Sequence, residues 1–245
     1  MNRQQTNRNV TTYVTKVYLN GDRYEGSYKY NQKESKGTFF YNDGNKYKGE
    51  TKNSLKEGKG SYEYKNGDKY EGEFKEDLLS GKGTYFCNNG DKYEGNFEKN
   101  KADGSGTYTY NDGNKYEGQF KNDKAEGEGT FFFTDGDKFC GNFKDGVKEG
   151  KGTYYYVDGN KYEGDFKNDK ADGIGIYSMK NGAKYEGGFK DDKANGRGTY
   201  YYEDGVKYEG FFKDGKVVFW NEYILFLFNI IFFIGYNIFN IYKYL

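Results

Sequence analysis

Two stretches carry the residue types of a phosphate or metal site. Gly81-Lys82-Gly83-Thr84 and Gly150-Lys151-Gly152-Thr153 offer glycines, a lysine and a hydroxyl, the parts of a nucleotide-phosphate cradle. That cradle needs the lysine directly before Ser or Thr, after a four-residue gap, and here glycine intervenes. Asn168 to Gly173, "NDKADG", is rich in oxygen ligands suited to calcium but lacks the EF-hand spacing. The only thiols are Cys87 and Cys140, and the 245 residues include no histidine. Ser-His-Asp catalysis, Cys-His catalysis and histidine metal sites are therefore excluded. The expectation is no enzyme, no catalytic residue, no cofactor and no metal.

The glycine motifs have another source, because they recur in register. Tyr-Glu-Gly or a close variant begins at residues 24, 47, 70, 93, 116, 139, 162, 185 and 208, always 23 residues apart. We number each unit from that first aromatic. Position 5 is aromatic except at Thr51, and position 16 is aromatic in all eight complete units. Position 14 is glycine throughout, position 12 is glycine except at Ser35, and positions 20 and 21 read Asn or Asp, then Gly. A fixed period of this length is the mark of a repeat architecture whose units touch only their neighbours.

The residue types predict strands. Aromatics make up 21% of the chain, and 37 glycines with no proline supply the turns. Asx-Gly between aromatic runs predicts a type I′ hairpin turn. The other connection, such as residues 122–126, reads as longer and polar. Each unit is then one β-hairpin, and with a leading half-unit about eighteen strands follow. The expected fold is all-β: an elongated, single-layer antiparallel meander of about nine hairpin repeats, curled into a groove. The domains are a flexible tail over 1–10, the repeat array over 11–219 and an apolar tail over 220–245.

Alternation puts positions 1, 3 and 5 on one face, with 12, 14, 16 and 18 of the partner strand. A single layer can cover its rings only by laying each across a neighbouring gap. Glycines 95, 104, 106, 118, 127, 129 and 164 are the predicted gaps: Gly95, Gly104, Gly106, Gly118, Gly127, Gly129 and Gly164. The ring face predicts a groove lined by Tyr93, Phe97, Tyr108, Tyr116, Phe120, Phe131, Tyr154, Tyr162, Phe166, Tyr177, Tyr185 and Phe189. The other face carries Lys at position 23 and usually Glu at position 2, in keeping with 38 basic and 38 acidic residues and no net charge.

The unit "YEGxFKNDKAxGxGTYxYxDGxK" resembles the MORN repeat, named from membrane occupation and recognition nexus. The resemblance runs from Tyr24 to about Lys216. It implies an elongated antiparallel sheet with an aromatic groove, and scaffolding or tethering at membranes and the cytoskeleton. MORN repeats also accompany phosphatidylinositol-phosphate kinases and SET-domain methyltransferases, but nothing in this chain resembles either catalytic domain.

The leading functional reading is a non-enzymatic scaffold that holds a peptide or helix of a protein partner in the groove. Nucleic acid is not an expected partner, because the lysines are expected on the opposite face, paired with glutamates. Membrane lipid and a second copy of the chain stay open as partners. Two alternatives are a tail-anchored tether of the junctophilin kind and a regulatory fragment of a lipid kinase.

The first ten residues lack the apolar core of a secretory signal, and two unmatched cysteines suit a reducing compartment, so a cytoplasmic location is expected. Ile224 to Tyr242 is a nineteen-residue run without charge, long enough to anchor the chain as a membrane helix. It also reads as strands packed on the last unit, or as the translation of an AT-rich sequence outside the native reading frame.

Overall fold

The computed structural model of the protein describes residues 11–29 and 34–218. The expectations for residues 1–10 and 220–245 lie outside them. Every regular element among the described residues is a strand, and no helix among them is long and apolar enough to cross a membrane. The chain divides between Val147 and Lys148. The first part holds β1 (Thr11–Val17), β2 (Arg23–Lys29), β3 (Glu34–Phe40), β4 (Lys46–Lys52), β5 (Leu55–Glu63), β6 (Lys69–Lys75), β7 (Leu78–Phe86), β8 (Lys92–Glu98), β9 (Lys101–Thr109), β10 (Lys115–Lys121), β11 (Lys124–Phe132) and β12 (Lys138–Lys144). From the boundary onward come β13 (Val147–Tyr155), β14 (Lys161–Lys167), β15 (Lys170–Ser178), β16 (Lys184–Lys190), β17 (Lys193–Tyr201), β18 (Lys207–Lys213) and β19 (Lys216–Val218). In each part consecutive strands pair antiparallel, as a meander. The nineteenth strand, three residues long, is one more than the sequence predicts.

The two connections exchange the roles expected of them. At the Asx-Gly turn only the glycine has positive φ (93° at Gly113), and Gly113 N–H donates to the Tyr110 carbonyl at 3.0 Å. This is a longer loop in which the glycine takes the left-handed place, a known alternative to the two-residue turn. The tight two-residue turn lies at positions 7 and 8 instead. Asn122 and Asp123 have φ of 48° and 70°, and Lys121 pairs with Lys124 across them. Both φ values positive is the type I′ signature, which Asn and Asp tolerate better than other residues with a Cβ. The second strand of the hairpin therefore begins at position 9, several residues before its glycines.

A bulge takes up the difference. Gly118 faces Gly129 and Phe120 faces Ala125, so one residue of β10 opposes three of β11. The same shift occurs between Gly95 and Phe97, and in the second part between Gly164 and Phe166. Here the expected pattern of gaps fails at position 12. Gly104 and Gly127 sit in the bulge with φ of 99° and 73°. A Cβ at Gly104 would point at Asn96, and one at Gly127 at Gln119, not at a ring. These two glycines are present for their backbone conformation. The bulge also brings position 10 opposite position 5, and Leu79, Ala102 and Ala171 are buried there.

Candidate partner-binding groove

The glycines at positions 3 and 14 are the gaps that the rings occupy. A Cβ built on Gly106 would lie 2.6 Å from Cε2 of Tyr93, and one on Gly95 would meet the Gly106 Cα at 2.6 Å. The Tyr162 ring covers Gly164 and Gly175 in the same way. Where position 1 is tyrosine its hydroxyl can donate to the position-4 carbonyl at the bulge: Tyr93 to Asn96 at 2.9 Å, Tyr116 to Gln119 at 3.0 Å and Tyr162 to Asp165 at 3.0 Å. That bond gives position 1 a reason to be tyrosine, since a buried carbonyl needs a donor. Burial pushes the Tyr93 and Tyr116 hydroxyls up to about 12, partly offset by the bonds to Asn96 and Gln119.

Position-5 rings complete this lower layer. Phe97 stands edge-on to Tyr93 of its own strand (5.1 Å, 85°) and to Tyr70 of the preceding unit (5.0 Å, 83°). Phe120 meets Tyr93, Phe143 meets Tyr116, and in the second part Phe189 meets Tyr162 in the same edge-to-face manner. Such pairs add about 0.5–1.5 kcal/mol each beyond their burial. Eight of the twelve predicted groove residues belong to this layer: Tyr93, Phe97, Tyr116, Phe120, Tyr162, Phe166, Tyr185 and Phe189 are all buried. They form the floor, and little of their surface is open to a ligand.

The remaining four, Tyr108, Phe131, Tyr154 and Tyr177, are half-buried and form an upper row with the position-18 rings. In the first part Tyr108, Tyr110, Phe131 and Phe133 follow one another at 4.6, 5.8 and 4.6 Å. Tyr62, Tyr64 and Tyr85 do so at 4.6 and 5.8 Å. In the second part Tyr154, Tyr156 and Tyr177 repeat the spacing. Alternation puts position 18 on this face, but its rings are not among the predicted groove residues.

Between Tyr85 and Tyr108 the row lacks a ring, because Cys87 occupies position 18. Burial raises the Cys87 thiol above its ordinary range, as do Asp68 and Asp91. The ring face there holds a recess of about 270 Å³ lined by Tyr85, Tyr93, Phe97, Ala102, Tyr108 and Asp123, among others. Asp91 accepts the Tyr108 hydroxyl at 2.8 Å, and Asp68 accepts that of Tyr85 at 3.0 Å. Burial first, and these bonds next, hold both hydroxyls well above the usual phenol range.

The rims of the groove are stitched by side chains that cap backbone. Asp91 accepts the Asn111 N–H at 2.7 Å, and Asp68 that of Asn88 at 2.8 Å. On the other rim Asp77, Asn100 and Asp123 accept the N–H groups of Lys56, Leu79 and Ala102 at 2.8, 2.8 and 2.7 Å. Asp169 and Asp192 do the same for Lys148 and Ala171 in the second part.

The apparent chemical motifs are absorbed here. Asn168 and Asp169 form a tight turn, Gly81 is a bulge residue, and Gly83 lies beneath Tyr70. Among the described residues no three Cys, Asp or Glu side chains converge as metal ligands.

The opposite face bears the expected ion pairs, Lys92–Glu94 at 3.2 Å, Lys115–Glu117 at 2.7 Å and Lys161–Glu163 at 3.0 Å. The expectation that lysines keep to that face fails at position 10, where Lys56 and Lys148 lie over rings. The bulge is the cause, since it fixes position 10 opposite the position-5 ring.

The family model of the MORN repeat matches residues 24–46, 47–69, 70–92, 93–115, 116–138, 139–161, 162–184 and 185–207. The chain belongs to the MORN repeat family. Its eight MORN units each contribute one floor ring, a tyrosine in seven and Phe139 in the other, and one position-16 ring to the ring face. No curated protein matches the chain. Among solved structures, the SAS-4 (dCPAP) TCP domain of Drosophila melanogaster, in complex with a proline-rich motif of Ana2 (dSTIL), is 14% identical. It covers 75% of this chain and 93% of that one, with a TM-score of 0.40. Virginiamycin B lyase from Staphylococcus aureus is 12% identical over 86% of this chain and 58% of that one, with a TM-score of 0.16. At such scores these likenesses decide nothing about this MORN array.

Proposed function

We propose that the chain is a non-catalytic scaffold whose MORN array holds an extended or helical segment of a protein partner against the upper ring row. The observation that carries this is the division of the ring face into two layers. The floor rings are buried, whereas Tyr108, Phe131 and Phe133 are half-buried and Tyr110 exposed, in a row of neighbouring rings on the same face. Aromatic rows over a rigid floor suit partner anchors, because tyrosine gives much contact area for little lost freedom. The free thiols of Cys87 and Cys140 suit a cytoplasmic place of work.

The test is proximity cross-linking in the native cell, followed by reconstitution of the captured partner with purified chain. Replacing Tyr108 and Phe131 by alanine should abolish the complex, and replacing Thr107 on the opposite face should not. A complex that survives the ring substitutions overturns the groove.

A further inference from the structure

One position places a cation on the ring face in a repeatable way. Lys56, at position 10, lays its ammonium 5.5 Å from the Tyr62 ring centre, 5.7 Å from Tyr41 and 5.8 Å from Tyr47. The same ammonium pairs with Asp77 at 3.1 Å, with 18% of the lysine side chain exposed. Asp77 also accepts the Lys56 backbone N–H at 2.8 Å, so one carboxylate fixes both ends of the residue. The second part has the same device. Lys148 lies 5.1 Å from the Tyr154 ring centre and 5.9 Å from Phe166, and its N–H donates to Asp169.

Two units after Lys56 the slot recurs without its lysine and with two of its three rings, since Cys87 stands where Tyr41 does. By register Ala102 takes the place of Lys56, Tyr93 that of Tyr47, Tyr108 that of Tyr62 and Asp123 that of Asp77. Asp123 Oδ1 accepts the Ala102 N–H at 2.7 Å, as Asp77 does from Lys56. No ion pair involves Asp123 among the described residues, and all four residues line the 270 Å³ recess. The protein thus displays, on Lys56, how a lysine fills a slot of this shape.

We propose that the recess at Ala102 receives a lysine side chain of the bound protein segment, its alkyl chain on Tyr108 and its ammonium on Asp123. An ammonium held between ring faces and a carboxylate is attracted by both. In the second part Ala171, Tyr162, Tyr177 and Asp192 are the register equivalents, with Asp192 accepting the Ala171 N–H at 2.8 Å. The inference rests on the groove reading above and adds the chemistry of its anchor.

The experiment is selection of phage-displayed random linear peptides on the full chain. Enriched peptides are expected to carry a lysine whose replacement by norleucine weakens binding about tenfold. Asp123→Asn should weaken the same peptides to a similar degree at an unchanged melting temperature. It keeps the Oδ1 acceptor, as Asn100 does for the Leu79 N–H at 2.8 Å. Ala102→Lys, patterned on Lys56, should block them; if that variant does not fold, Asp123→Asn decides. Peptides that are lost in Tyr108→Ala yet indifferent to norleucine and to Asp123→Asn overturn the lysine anchor and leave the groove standing. Failure to enrich any peptide, or binders indifferent to Tyr108→Ala, overturns both.

Discussion

The Tyr116 ring stands where a side chain on Gly129 would begin: a Cβ there would lie 2.6 Å from Tyr116 Cε2. The gap is closed on the backbone side as well, since a Cβ on Gly118 would meet the Gly129 Cα at 2.7 Å. Neither the ring nor the opposing strand has room to give.

Substitution at this crossing is expected to destabilise. Gly118→Val should cost about 1–3 kcal/mol by overpacking. Lys115→Ala, on the opposite face and paired with Glu117 at 2.7 Å, should cost under about 0.5 kcal/mol. Denaturant melts of the two variants check this, and equal losses would mean that the faces are reversed.

The two ring layers should separate stability from binding. Tyr116→Ala empties a floor position that is 2% exposed and should cost about 3–5 kcal/mol. Tyr108→Ala removes a half-buried ring and should cost clearly less, while removing partner binding. Melting and binding measured on the same two proteins are the check; a Tyr116 variant that melts like wild type would show that the floor is not the core.

The tight turns carry a local cost where the residue is not Asn, Asp or Gly. Lys99 has a φ of 49°, and most residues with a Cβ lose about 1–2 kcal/mol there. Lys99→Gly or Lys99→Asn should therefore stabilise by about 0.5–1 kcal/mol. A lower denaturation midpoint in both variants would contradict the turn assignment.

Alkaline pH should unfold the protein cooperatively. Tyr93 and Tyr116 ionise at about 12 when folded, above the ordinary value of 10.0, chiefly because of burial. A raised folded value means that the unfolded chain releases its proton first. The stability is therefore full below about pH 10 and falls as pH rises toward 12. Tyrosinate absorbance followed against circular dichroism should show the floor hydroxyls ionising together with loss of the sheet. Smooth titration near 10 with the sheet intact would overturn the assignment.

The period, strand class and ring face were legible because glycine and ring columns recur without insertion from Tyr24 to Phe212. That Gly118 and Gly129 share the ring face follows from alternation, but their pairing does not: the tight turn alone would set Gly118 opposite Gly127, and the bulge moves it to Gly129. The turn types were not legible. Asx-Gly is a strong signal for a two-residue turn, yet Asn122-Asp123 makes that turn here and Asp112-Gly113 does not. The choice depends on the bulge, and a bulge is set by what faces it across the ladder, which a one-dimensional pattern does not record. For the same reason Ala102 and Lys56 read as loop residues, although the bulge carries both to the ring face. The separation of floor from upper row was likewise hidden, because Tyr93 and Tyr108 are the same residue type on the same face.

The capping along the groove rims sets a rule for how the gene can change length. Asp123 reaches one unit back to Ala102, and Asp91 caps Asn111 one unit ahead. A unit cut out or duplicated whole keeps the spacing between cap and donor, and most units carry Asp or Asn at both capping positions. Any other deletion strands a cap on each side of the scar. Unequal recombination in steps of 23 codons is thus tolerated where single-codon slippage is not, and orthologues should differ in the number of units more readily than in the length of any one.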